Sequence, residues 1–375
     1  MNKNNKIKGI YIHIPFCRNI CYYCDFNKVI YNDELANNYL IALAYEIKSS
    51  NILNDDIETI YIGGGTPSCL SYRQLVFLFS LINISTYPNI KEFNIELNPE
   101  DVNEELVSLL IKNKITRVSI GVQSFNDNVL KECHRLHNKN DVINAISLLR
   151  KNGISNINID LMYGFNTQSI DNIKHDLTMI EQLAINHVSY YNLIVEPGTV
   201  FYNNNYQESD LDNEYLFMIN DYLINNLGFE NYEVSNYCKN KEYSKHNLLY
   251  WHNEHYYGFG LGACSYINNQ RIYNTKSITN YNKLKFNKLI ENYSYKELLE
   301  NEILLQFRLF NGIDLNEISK KYSFEFTNYF KNAIIKNMKN IMIINNKLYF
   351  NNKAKLFLND IILDFIECIG EIDND

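Results

Sequence analysis

Three cysteines stand within eight residues, Cys17, Cys21 and Cys24 of the segment YIHIPFCRNICYYCDF. Three thiolates on one loop can cap three corners of a cubane iron–sulfur cluster, leaving its fourth iron without a protein ligand and open to an outside chelator. A structural zinc ion asks for four ligands, commonly as two Cys or Cys/His pairs. No second pair follows here, although His13 could serve as a fourth ligand, and three interior cysteines brought together by chance would give the same string. Cys69, Cys133, Cys238, Cys264 and Cys368 have no ligand-like spacing and read as interior residues.

Other residues able to hold a ligand punctuate the chain downstream. Gly63-Gly-Gly-Thr-Pro67 offers a backbone that a ligand can approach closely, and it lacks the Lys-Ser/Thr pair of a phosphate-binding loop. Glu96, Gln123, Arg135 and Asp160 follow. Singly, Glu96 or Asp160 reads equally as a helix cap or an ion-pair partner. Together they supply carboxylates for amine or ribose groups and a planar guanidinium fork for a carboxylate. Gly258-x-Gly-x-x-Ala263 fits a dinucleotide fingerprint only formally, without the strand–helix context, and reads as a tight turn.

The elements that must position these residues alternate. Strand patterns at Gly9–Ile14, Glu58–Ile62, Glu92–Leu97, Arg117–Val122, Asn156–Leu161 and His187–Leu193 are separated by helical ones, including Asp33–Ser49, Tyr72–Ile82, Asn103–Lys112, Asp141–Lys151 and Ile170–Leu183. Such alternation needs crossover connections and a parallel sheet. The expected class is α/β, a partial or full TIM-type (βα) parallel barrel, with a doubly wound sheet as the alternative. Each strand is followed at once by CRNICYYC, GGGTPS, NPE, QSF, YGF or VEPGT, and in parallel folds these loops build the active site. The alternation breaks after Tyr232. The expected organisation is a barrel over 1–231, a glycine-rich segment over 232–290, and a small helical, winged-helix-like domain over 291–375. That last domain has helices at Tyr295–Leu309, Leu315–Tyr322, Thr327–Lys339 and Lys353–Cys368, and a hairpin Ile341–Phe350 turning at Asn345-Asn346.

With 46% hydrophobic and 21% charged residues, the chain has the composition of a globular protein large enough for a substantial core. No apolar run is long enough to span a membrane, and the first residues lack a signal-peptide pattern, so a cytoplasmic location is expected. Net charge −8 argues against a nucleic-acid partner.

The Cys-x3-Cys-x2-Cys spacing, with Tyr23 before the last cysteine, resembles the radical SAM superfamily. The resemblance implies S-adenosylmethionine (SAM), whose methionine amine and carboxylate chelate the open iron of a 4Fe–4S cluster. An electron from the cluster then cleaves the sulfonium to give a 5′-deoxyadenosyl radical. With YIHIPFC, GGGTP, ELNP, VSIGVQSF and DLMYG, the chain is similar to the HemN/HemW group of oxygen-independent coproporphyrinogen oxidase relatives, between about Tyr11 and Ser265, with a weaker echo at Glu302–Gly312. That likeness implies a SAM pocket formed by Tyr11, Gly64, Glu96, Gln123, Arg135 and Asp160, with Tyr23 near the adenine. Gly164-Phe-Asn-Thr-Gln168 departs from the group's Gly-Leu-Pro-Gly-Gln, which leaves the turn geometry there open, while the SAM contacts need not change.

Two features separate the branches of the group. The oxidase carries a further cysteine two positions after the last cluster ligand, where this chain has Phe26, and a longer segment before the first strand, where ten residues precede Tyr11 here. His246-Asn-Leu-Leu-Tyr-Trp251 matches the HNxxYW motif of the heme-chaperone branch. On that branch His246 is the candidate axial ligand of heme, with Tyr250 and Trp251 as flat apolar surfaces. A structural histidine beside core aromatics is the alternative. The resemblance implies a chaperone that binds heme, a 4Fe–4S cluster and SAM, draws on an electron donor, and passes heme to an acceptor protein. SAM-dependent decarboxylation of coproporphyrinogen is the alternative activity, and no catalytic residue is assigned.

Overall fold

The computed structural model describes residues 6–50, 52, 56–82 and 84–370. Six strands, β1 (Ile7–Ile14), β2 (Thr59–Gly64), β3 (Glu92–Leu97), β4 (Arg117–Gln123), β5 (Ile157–Tyr163) and β6 (His187–Asn192), pair side by side in that order, all parallel. Between them run α1 (Asp33–Ser49), α2 (Tyr72–Leu81), α3 (Glu104–Lys112), α4 (Lys139–Lys151) and α5 (Ile170–Gln182). Each of these helices starts on an Asn or Ser (Asn32, Ser71, Asn103, Asn138, Ser169) whose side chain accepts an otherwise orphaned first-turn N–H.

The two faces of the sheet differ sharply. Ile10, Ile12, Ile60, Ile62, Phe93, Ile95, Val118, Ile120, Ile157 and Ile159 belong to one apolar core with the helices. The alternate positions are polar, yet Thr59, Glu92, Asn94, Arg117, Ser119, Asn158, His187 and Ser189 are buried as well. A polar face shielded from water must close on itself, and most of its groups pair with one another, Asn94 Oδ1 and Arg117 Nε excepted. Asn158 Oδ1, for example, is shared by His187 Nδ1 at 2.7 Å and Ser189 Oγ at 3.2 Å. This is the interior of a curved sheet.

Six further strands extend both edges. β7 (Glu230–Asn231) and β8 (Asn236–Cys238) run antiparallel beyond β6. A short helix, α6 (Lys245–Trp251), leads into β9 (His255–Phe259), which returns to the other edge and lies parallel to β1. β10 (Cys264–Ile267), β11 (Gln270–Tyr273) and β12 (Leu289–Asn292) continue it antiparallel. The order β12-β11-β10-β9-β1-β2-β3-β4-β5-β6-β8-β7 leaves the two outer edges unpaired with each other, so the barrel is partial. The Gly258–Ala263 string is a tight turn after β9. Gly260 has φ +103°, and a Cβ there would lie 2.6 Å from the carbonyl of His13.

A second core joins Leu299, Ile303, Phe307, Leu348, Phe365 and their neighbours. The hairpin turns at Asn345 (φ 51°) and Asn346 (φ 59°), the left-handed pair a two-residue turn needs. The continuous helix expected over Thr327–Lys339 is two pieces, Phe326–Tyr329 and Lys331–Lys336. The break is at Phe330, whose fully buried ring packs on Phe326 and Phe365. The last helix runs Leu358–Gly370 after a 3-10 turn at Ala354–Phe357.

Candidate functional site

The C-terminal ends of β1 to β6 open into one cavity of about 470 Å³. The loop after β1 contributes Cys17, Cys21, Tyr23 and Cys24; β2 and β3 contribute Gly64, Thr66, Glu96 and Asn98; β4 and the loop beyond it contribute Gln123, His134 and Arg135; β5 and β6 contribute Asp160 and Tyr191. All three cysteines and five of the expected SAM-pocket residues (Gly64, Glu96, Gln123, Arg135, Asp160) therefore meet, with Tyr23 beside them. Tyr11 and His246 do not line this cavity.

The cysteine loop is tied to its surroundings through sulfur. Thr66 Oγ1 donates to Cys17 Sγ at 3.6 Å and Arg135 Nη1 to Cys21 Sγ at 3.5 Å. All three thiols are free. Burial pushes Cys17 up to about 11 and raises Cys24 as well, so ligation must displace protons. Among the described residues, no three His, Cys, Asp or Glu side chains gather as a single metal ion requires. His13, weighed above as a fourth zinc ligand, has both ring nitrogens engaged, by Tyr11 Oη at 2.9 Å and the Asn27 carbonyl at 2.8 Å. The donor set of three thiolates with a guanidinium at one sulfur fits a larger cluster with one open iron.

The rest of the cavity is built for a small charged ligand. Glu96 accepts from Tyr61 Oη at 2.7 Å and from the Gly64 N–H at 3.0 Å. Burial nevertheless pushes its carboxyl up to about 7, and burial raises Asp160 too. Arg135 Nη2 donates to the Gly121 carbonyl at 2.6 Å and to Asn98 Oδ1 at 2.9 Å, which aims the guanidinium. Its Nε and Gln123 Oε1 are buried without protein partners, groups that a ligand would satisfy. Gln123 itself has φ +61°, a backbone conformation costly for a residue with a Cβ and common at ligand sites.

His246 lies elsewhere. It is on α6, fully buried, with Nδ1 2.7 Å from Thr59 Oγ1 and Nε2 2.8 Å from Tyr250 Oη. The backbone N–H groups of Lys245 and His246 both bond the Glu92 carboxylate, a negative charge well placed at a helix start. Thr59 and Glu92 are the first residues of β2 and β3, so α6 closes the end of the barrel opposite the cavity. Burial lowers the imidazole to about 3. Neither ring nitrogen is free for iron in this arrangement.

Comparison with known proteins agrees with the geometry. Residues 11–180 match the model of the Radical SAM superfamily. The chain is 34% identical to the heme chaperone HemW of Bacillus subtilis over 96% of this chain and 99% of that protein. It is 35% identical to the heme chaperone HemW of Lactococcus lactis, with 95% and 94% covered. The chain belongs to the HemW family. The coproporphyrinogen III oxidase HemN of Escherichia coli, a radical SAM enzyme, superposes with a TM-score of 0.81 over 96% of this chain and 90% of that one at 19% identity, a likeness of fold.

For this HemW family member, radical SAM membership implies the 4Fe–4S cluster and SAM that the cavity fits. Sequence reasoning missed Tyr61, Asn98, His134 and Tyr191. Tyr61 could have been found, because Thr59, Tyr61 and Gly63 alternate with Ile60 and Ile62 along β2, which puts them on the polar side. Asn98 and His134 lie in loops, where no period marks direction. The departing turn Gly164–Gln168 is closed by Gln168, whose Oε1 accepts the Gly164 N–H at 2.9 Å, so its geometry is set without the expected glycine and proline.

Proposed function

We propose that this chain is a cytoplasmic heme chaperone, which binds heme, holds a 4Fe–4S cluster on Cys17, Cys21 and Cys24 with SAM beside it, and passes heme to an acceptor protein. The observation that carries this is 34% identity to a HemW protein over nearly the full length of both chains, in a chain that brings the three cysteines and most of the expected SAM pocket to one cavity. The cluster, when bound, supplies an electron and an iron open to the methionine end of SAM. This chain's own residues do the holding: Arg135 receives the methionine carboxylate, Glu96 and the Gly64 backbone the amine, and Asp160 the ribose. Phe26, where the oxidase branch has a cysteine, leaves the mouth without a thiol beyond the three cluster cysteines and favours heme handling over coproporphyrinogen decarboxylation. Among the described residues no helix is long and apolar enough to cross a membrane.

The test is a heme titration of anaerobically reconstituted protein, followed by mixing with a heme-free acceptor. A Soret band that saturates and then moves to the acceptor supports the reading. Absence of binding at equimolar heme, or SAM-dependent release of CO₂ from coproporphyrinogen, would sink it.

A further inference from the structure

The mouth of the cavity carries apolar side chains that the barrel does not bury. Phe26 is 64% exposed, Leu136 57% and Ile194 62%; they come from three different loops, and all line the same cavity. Single exposed apolar residues are ordinary, but a patch gathered round a site marks a binding surface.

His134 lines this cavity too, and its setting is unusual. Its backbone has φ +61°, a conformation that costs a residue with a Cβ. Its ring stacks on Tyr22 at 4.4 Å, and its carbonyl accepts from Asn19 Nδ2 at 2.6 Å. Nδ1 lies 3.1 Å from the Ile20 carbonyl. A carbonyl only accepts, so in the tautomer that makes this contact Nδ1 carries the proton and Nε2 the lone pair. Metal-ligating histidines are oriented in this way, with the second nitrogen donating to a backbone carbonyl. Asn19 Nδ2, a donor, stands at the same 3.1 Å from Nδ1 and would bond it only in the other tautomer; iron at Nε2 would select the one that donates to Ile20.

We propose that heme docks over this mouth, its macrocycle against Phe26, Leu136 and Ile194 and its iron on Nε2 of His134. The proposal rests on the heme-binding function above and gives the axial position to His134 in place of His246. An imidazole lone pair beside an apolar rim suits a flat apolar ring that carries a metal, and Lys28, also lining the mouth, supplies a cation for a propionate. The imidazole hangs from Ile20, between Cys17 and Cys21, so heme would sit directly on the loop that holds the cluster.

Two sets of variants test this in the cluster-loaded protein. His134→Gly removes the imidazole and suits the positive φ, so the fold is kept. Phe26→Asp with Ile194→Asp charges the rim and leaves His134 in place. With hemin as the probe, His134→Gly should shift the Soret band and weaken binding about tenfold or more, a decade being 1.4 kcal/mol. Added imidazole should restore the band, with binding compared at equal iron content because the His134 ring also anchors the cluster loop at Ile20 and Tyr22. The rim variant should weaken binding yet keep the histidine-ligated spectrum. Wild-type affinity and spectrum in His134→Gly overturn the ligand assignment, and wild-type affinity in the rim variant overturns the docking surface. A wild-type protein that fails to bind hemin overturns the chaperone function itself, a result distinct from either.

Discussion

Replacing His246 by alanine should destabilise the closed end of the barrel and leave heme affinity per folded molecule unchanged. The ring is fully buried and makes two hydrogen bonds, to Thr59 Oγ1 and Tyr250 Oη. Alanine leaves both hydroxyls without that partner, and a buried unsatisfied group costs about 1–3 kcal/mol. The cavity left by the ring adds to this, so the total is about 3–5 kcal/mol. At about 2 °C per kcal/mol for a domain of this size, the unfolding midpoint should fall by about 6–10 °C. Trp251, the chain's only tryptophan, is on the same helix and its fluorescence reports the transition locally. There is also a signature in pH. The imidazole is lowered from 6.5 to about 3 by burial. A base with a depressed folded value contributes stability that is full above its unfolded value and is lost as pH falls toward the folded one. Wild-type stability should therefore slope downward below about 6.5, and His246→Ala should lack that part of the slope. A midpoint within about 2 °C of wild type, together with lost heme binding, would refute the plug and restore His246 as a ligand.

Three further outcomes are expected. Glu96 sits at about 7, so its neutral form is favoured by folding below that value; its contribution to stability is full below about 4.5 and lost as pH rises through about 7, whereas the SAM ammonium needs the ionised form. SAM affinity measured by calorimetry should thus fall as pH drops below about 7, and Glu96→Gln should be weak and flat over the same range. Arg135→Lys keeps the charge but loses the fork that reaches Asn98, Gly121 and Cys21; SAM should bind about tenfold or more weakly, and unchanged affinity would remove the clamp. Gly65→Ala would place a Cβ 2.7 Å from the Phe16 carbonyl, next to Cys17; iron content after reconstitution should drop well below that of wild type, and full loading would show that this backbone gives way.

Much of the site was legible because it is local. The three thiolates lie on one loop, and Gly64, Glu96, Gln123 and Asp160 lie on strands whose patterns are clear, most of them near the strand's end; only Arg135 is reached through a longer loop. The barrel interior was harder, because a period-two strand says which residues share a face but not whether the polar face meets water or closes on itself. Glu92, Asn94 and Arg117 are polar positions alternating with core residues along their strands, and all three are buried in the structure.

The HNxxYW segment marks the limit of that legibility. A seven-residue helix carrying histidine and aromatics reads the same whether it offers its imidazole to a ligand or inserts it under a sheet. Only the return of the chain to β1 through β9 decides the matter, by bringing α6 against the first residues of β2 and β3, where Thr59 and Glu92 hold it. The exposed rim of Phe26, Leu136 and Ile194, and His134 beside it, exists only once three loops far apart in sequence meet at one mouth. Local spacing determined which residues can bind a cluster. Tertiary packing determined which of the histidines faces the site, because burial depends on contacts between residues the sequence keeps apart.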